Sequence, residues 1–362
     1  MWLVDCLRRC HAYLSQQGPH HSKHSGWIHP TVVCVLHYAV VLPSMLLAHD
    51  LLVTKYYFIG IATVNDVSNQ HTSHETQISS LNDLCFKGPH GLLPENPIIV
   101  PAFFFLYAMW LLVWRIYVSL PTTVPQGPTQ TSQPACSLAN TILYEYCWLC
   151  TLSLHLGWIA LVTNRPILAS ACCVTIGIDQ LLWYVDLCHY LVTKIFQTKP
   201  SFLVGVCKYL FWEGTTFLSR ITCTHHLWTL PILLVESRGV HRLALPLSAI
   251  LMTMNVLLSR WWTPSHVVLI TGIEDKVRDK QASSIRKDTI KYLNVNLSHS
   301  FWKDVPISCL QIHSDNPPVQ VYLFRLLWRW IAFNTCVYFV LSLLCQRLFF
   351  SDAYEPPICY RP

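Results

Sequence analysis

The chain has 362 residues, of which 52% are apolar and only 12% charged, with a formal net charge of +6. An average soluble domain carries roughly a quarter charged residues, so this composition excludes a disordered chain, a coiled coil and most ordinary cytosolic enzymes, and it points to a chain whose solvent is partly lipid. The mild positive charge contains no run of five like charges, so the concentrated basic face of a nucleic-acid binder is absent and no nucleic acid is expected as a partner.

Residues 1–30 read as a polar N-terminal arm. Arg8 and Arg9 interrupt its apolar start, so it does not read as a secretory leader. Trp2 stands where myristoylation needs glycine, and Cys359-Tyr360-Arg361-Pro362 lacks the aliphatic pair that prenylation favours. Membrane attachment is therefore expected from internal spans. His20, His21 and His24 lie in the arm, where a solvated role is expected.

A spanning helix needs about 20 predominantly apolar residues. The main bundle is expected over 31–263. Residues 31–53 give the first candidate, with His37, Pro43 and Asp50 inside it. A polar loop follows, then 98–120, whose one charge is Arg115. Residues 121–134 are rich in Pro, Thr and Gln and read as a loop. The next spans are 138–162, carrying Glu145, and 167–192, carrying Asp179 and Asp186. Residues 202–216 and 224–235 are apolar but short: two short helices, a re-entrant pair or one broken span. Residues 243–262 are again a clean span. Residues 264–320 form the most polar segment, in which 274–291 alternates in sign and reads as a solvated amphipathic helix near anionic headgroups. The last span is expected within 321–350, and 351–362 is a short tail. The expected fold is all-α, a polytopic transmembrane helical bundle of about seven or eight spans. Basic residues place the arm and 264–318 in the cytosol. That orientation outweighs the glycosylation triplet at Asn296, which matters only on the lumenal side. For a polytopic chain without a leader, the endoplasmic reticulum or a related endomembrane is the default address.

Charges inside apolar spans carry the functional information, because each costs roughly 2.5–3.5 kcal/mol at the bilayer centre on insertion scales. Asp179 and Asp186 are seven residues apart, which returns to within roughly 20° on a helix, and His189 follows on the same side. Glu145 and His155 fall within about 80° of each other on the preceding span. Carboxylate with imidazole suits proton transfer near neutral pH. A second cluster runs from Lys208 through Trp212, Glu213 and Arg220 to His225, His226 and Trp228, in a segment that reads as broken helix. Broken helices at membrane depth are where transporters and membrane enzymes place their sites. The expected catalytic set is Asp179, Asp186, His189, His225, His226 and Glu145. The expected binding set is Lys208, Trp212, Glu213, Arg220 and Trp228.

No metal is expected. The Cys147–Cys150 pair lacks a second pair and reads as packing. Adjacent His225 and His226 should point about 100° apart on a helix and so are poor partners on one ion. The two-histidine zinc-protease helix, the His-rich boxes of di-iron desaturases and the GxSxG elbow are all absent. No cofactor is implied. Two readings follow: an enzyme or carrier acting on a lipid or small amphiphile within the lipid bilayer, or a non-catalytic scaffold whose buried charges hold helices together.

Overall fold

A computed structural model describes residues 30–68, 98–119, 143–196, 200–211, 217–237, 239–276, 283–293, 295–299 and 318–349. In chain order the helices are α1 (Pro30–Ser68), α2 (Ile99–Ser119), α3 (Leu149–Val162), α4 (Pro166–Phe196), α5 (Phe217–Thr222), α6 (His225–Glu236), α7 (Ala244–Trp262) and α8 (Val319–Phe349). The long polar segment before α8 holds an antiparallel hairpin, β1 (His266–Lys276) with β2 (Ser283–Tyr292).

Among the described residues, four helices are long and apolar enough to cross a membrane: Pro30–Tyr56 within α1, α4, α7, and Val319–Cys345 within α8. Such helices are compatible with a membrane-embedded chain. The seven or eight expected spans are not all present as long helices. Residues 202–211 are a docked loop with one helical turn, Lys208–Phe211. Helix α6 has 12 residues, about 18 Å of rise, against a hydrocarbon core about 30 Å thick. Helix α3 is apolar but has only 14 residues, whereas α2 runs for 21, Ile99–Ser119.

Helix α4 is the axis of the bundle. It packs against α3, α6, α7 and α8, while α1 meets α7 and α2 meets α3. Most of the core-facing residues of α4 are fully buried, Leu168 to Val174 among them. The outer helices instead present Val35, Leu47, Phe105, Met109, Phe324, Trp328 and Leu343 to the surroundings. An apolar exterior of this kind suits lipid contact, where only backbone groups already bonded within helices can face the solvent.

Small residues set the closest approaches. A Cβ on Gly157 would sit 2.9 Å from Leu233, so α3 admits α6 only because the position is glycine. A Cβ on Gly177 would collide with Val337, which sets how near α8 comes to α4.

Helices α3 and α4 form a tight antiparallel pair. Asn164 takes a left-handed conformation (φ 51°), and the Arg165 amide donates back to the Ala160 carbonyl at 2.7 Å. This closes the helix end as a left-handed C-terminal residue does, and Pro166 then begins α4 where no amide proton is needed.

The hairpin corrects the amphipathic helix expected over 274–291. Its register runs from His266 opposite Tyr292 to Lys276 opposite Ser283, with a bulge between Ile270 and Gly272. Val267, Val268, Ile270, Thr271, Ile273, Ile285, Thr289 and Ile290 are β-branched, and such residues favour the pleated backbone over a helix. The chain after the hairpin is not a solvated loop either. Leu293, Val295, Asn296, Leu297 and Ser298 are buried, packed against α7. Asn296 and Leu297 both have positive φ (53° and 55°), and Asn tolerates that region best among residues with a side chain. The Asn296 side chain accepts from the Leu149 amide at 2.8 Å and donates to the Cys147 carbonyl at 3.0 Å and to Ser259 at 2.7 Å. It thereby caps α3, whose own N-cap residue Trp148 supplies no side-chain hydrogen bond.

Candidate functional site

The strongest cluster of chemistry lies where α3 begins, α4 reaches its middle and α6 begins. Cys150 is 13 residues before Thr163 and Asp179 is 14 residues after Arg165. The two therefore lie at one level, about 20 Å from the α3–α4 turn. Gln180 is one residue from the midpoint of the 31-residue α4. Helix α6 runs parallel to α3, so His225 and His226 come level with Cys150 as Leu233 comes level with Gly157.

The ligating atoms of Cys150, His225 and His226 all lie within 4.8 Å of one another. The two imidazoles are 4.2 Å apart between centroids and inclined by 32°. Adjacency on an ideal helix does not prepare for this. The pair opens α6 on a backbone that is already helical at Thr224, so the rings meet by leaning together rather than by a change in the helical step.

Each ring is held from behind. The Nδ1–H of His225 donates to the Thr222 carbonyl at 2.8 Å. The Nδ1 of His226 meets the Gln180 side-chain amide at 2.7 Å, and its ring stacks on Trp183 (5.6 Å, 17°). Asp179 and Cys223 lie within electrostatic reach of the Cys150 thiol.

The break itself is held by other helices. The Tyr107 hydroxyl of α2 lies 3.1 Å from both the Ile221 and Thr222 carbonyls and accepts from the His225 amide at 3.3 Å. Pro231 inside α6 has no amide proton for the Leu227 carbonyl. The Tyr184 hydroxyl of α4 donates there instead, at 3.2 Å. Backbone carbonyls at the break and before Pro231 are thus bonded by side chains of neighbouring helices. Trp228 packs edge-on against Phe103, Phe104 and Tyr107, with centroids 4.7–5.2 Å apart.

Other residues expected at the site have separate places. Asp186 is fully buried. Its carboxylate accepts from the amides of Val204 (2.9 Å), Gly205 (3.1 Å) and Cys207 (3.1 Å). Gly205 has φ 94°, which suits the tight wrap of this loop around the carboxylate. Burial and the adjacent carboxylate push the Cys207 thiol up to about 12, so it stays a thiol. His189 donates from Nδ1 to the Ser201 carbonyl at 3.1 Å. Asp186 and His189 therefore fasten the 201–207 loop to α4, whereas Asp179 belongs to the other end of the stripe, beside Cys150.

Glu145 ends a helical stretch, 143–145, that the turn at 146–148 separates from α3, so it shares no helix face with His155. The His155 ring bonds Tyr146 at 2.7 Å and the Thr151 carbonyl at 2.8 Å. Lys208 and Arg220 are exposed, and neither makes a hydrogen bond or ion pair to the cluster among the described residues. Trp212 and Glu213 lie outside the described residues. Cys150 and Gln180 were not singled out from the sequence as site residues; the Cys147–Cys150 spacing was the only signal that touched either of them.

Comparison with protein-family models, with curated proteins and with solved structures gave no match.

Proposed function

We propose that this chain is a multi-pass membrane protein that acts on a lipid or small amphiphile, as an enzyme or carrier, at the cluster of Asp179, Gln180, His225 and His226. The observation that carries the reading is the convergence of a carboxylate-bearing α4 and a histidine pair at a pinned helix break. A structural network alone does not need two imidazoles set side by side and fixed from behind by separate hydrogen bonds. Carboxylate and imidazole at one depth suit proton transfer or recognition of a polar headgroup. An endomembrane such as the endoplasmic reticulum is the proposed address, and spans beyond the four long helices are proposed for α2 and α3.

The scaffold reading has its own support in Asp186 and His189, whose partners are backbone groups of one loop. It accounts for those two residues and leaves the histidine pair without a purpose.

The test is the lipid that accompanies the protein. Wild type, His226→Ala and Asp179→Asn are extracted into native lipid particles and their lipids compared by mass spectrometry. One lipid or amphiphile class should be enriched over the host membrane in wild type and return to the background level in both variants, with both variants still folded and monodisperse. A wild-type profile equal to that of the bulk membrane would overturn the reading.

A further inference from the structure

We infer that Cys150, His225 and His226 together bind a transition-metal ion, and that zinc(II) is the ion the donor set fits. The inference rests on the same cluster as the proposed function but does not need its amphiphile.

The geometry comes first. Zinc holds thiolate sulfur at about 2.3 Å and imidazole nitrogen at about 2.0–2.1 Å in a tetrahedron. Donor atoms on such an ion are therefore about 3.3–3.6 Å apart. The three atoms here already lie within 4.8 Å of one another, so closing on an ion asks for side-chain shifts of about an ångström. No backbone rearrangement is required.

The surroundings are those of ligands rather than of packed core. A metal-binding histidine almost always bonds its other ring nitrogen to a carbonyl, carboxylate or polar group, which fixes tautomer and orientation. Both rings meet that requirement. His225 uses Nδ1 on the Thr222 carbonyl and His226 uses Nδ1 on Gln180, which assigns Nε2 as the ligating atom in each. The Gln180 amide can present its oxygen or its nitrogen to His226, since the two orientations have the same shape. With the oxygen inward it accepts the Nδ1 proton and leaves Nε2 for the ion. Trp183 and Tyr107 restrict the ring and the backbone of the pair.

The donor set chooses the ion. One sulfur and two imidazoles suit zinc or copper and do not suit magnesium or calcium, which take oxygen. A site with three protein ligands keeps a fourth position, and catalytic zinc sites place water or substrate there. Asp179 and Cys223 both lie within electrostatic reach of Cys150. No local spacing announces this site, because Cys150 is 75 residues from His225.

The test uses the full chain in detergent or lipid particles, purified without a polyhistidine tag, dialysed with zinc and then freed of loose ion. Elemental analysis should give about one zinc per wild-type chain and at least a tenfold loss in Cys150→Ser and in His226→Ala. Cys207→Ser, a buried cysteine away from the cluster, should keep the metal. Exchange into cobalt(II) should give a thiolate-to-cobalt charge-transfer band that Cys150→Ser removes. A chelator should lower the thermal midpoint of wild type, added zinc should restore it, and Cys150→Ser should show neither change, which separates lost ligation from lost folding. Wild type without stoichiometric metal, or full metal retention in both variants, overturns the site; copper taken in preference to zinc overturns the identity of the ion. Zinc without an enriched lipid supports this inference while the proposed function fails, and an enriched lipid without metal does the reverse.

Discussion

Asp186 shows how one residue type can play opposite parts on one helix. Asp179 and Asp186 share a face of α4, as their spacing dictates, yet their neighbours differ. Asp186 meets three amides of a loop that wraps it, and a carboxylate that accepts several backbone amides is a fastening. Removing it leaves three donors without an acceptor, each costing about 1–3 kcal/mol when buried. Asp186→Ala should therefore lower the thermal midpoint sharply and expose the 201–207 loop to protease. Asp186→Asn, which keeps one acceptor oxygen, should lose about half as much. Equal stability of wild type and Asp186→Ala in the same detergent contradicts this account. Asp179 carries no such load, so its substitution is the informative one for function. Periodicity identifies which residues share a face; it does not say what the chain brings to that face.

At the scale of elements, the sequence shows the long helices well. Apolar length alone places the four long apolar helices, the α3–α4 pair and the short helix α6. It places two elements poorly. The charged segment of 264–320 alternates in sign in a way that imitates an amphipathic helix, while its β-branched residues favour the hairpin. The histidine pair is judged by the angle between adjacent helix positions, which does not say where two ring side chains lean. Close packing between helices is equally hidden, because a glycine in an apolar run has no partner written beside it. Gly177 is the case to test. Its missing Cβ is the space that Val337 fills. Gly177→Ala should destabilise by roughly 1–3 kcal/mol through overpacking. Adding Val337→Ala should return much of that loss, giving a coupling that a double-mutant cycle reads directly. Purely additive effects would mean that α4 and α8 do not meet there.

For the whole molecule, the polar groups inside the bundle are joined across long stretches of chain. His37 bonds Asn255, Tyr107 reaches the α5–α6 break, and Asn296 reaches the start of α3. Pairings of this kind are invisible without the fold. They also change the reading of the glycosylation triplet. All of the Asn296 side chain is engaged and the residue is 6% exposed. No glycan is expected there on either side of the membrane. Treatment with endoglycosidase should leave the mobility of the protein unchanged, and Asn296→Gln should lower stability without altering mass by a glycan. A glycan at this position would require the buried turn to be open.

The cap that Asn296 places on α3 has a consequence for the order in which the protein is made. A ribosome releases Cys150, Gln180 and His226 early, and the helices that carry them can enter the bilayer as they emerge. Asn296 follows only after roughly four-fifths of the 362 residues have been joined. Until then the first turn of α3 has an amide with no acceptor, and Cys150 sits on an end free to fray. The histidine pair thus waits for a thiol that a much later segment fixes in place. A chain stalled before residue 296 would therefore hold the helices of the bundle without the acceptor for the Leu149 amide at the start of α3.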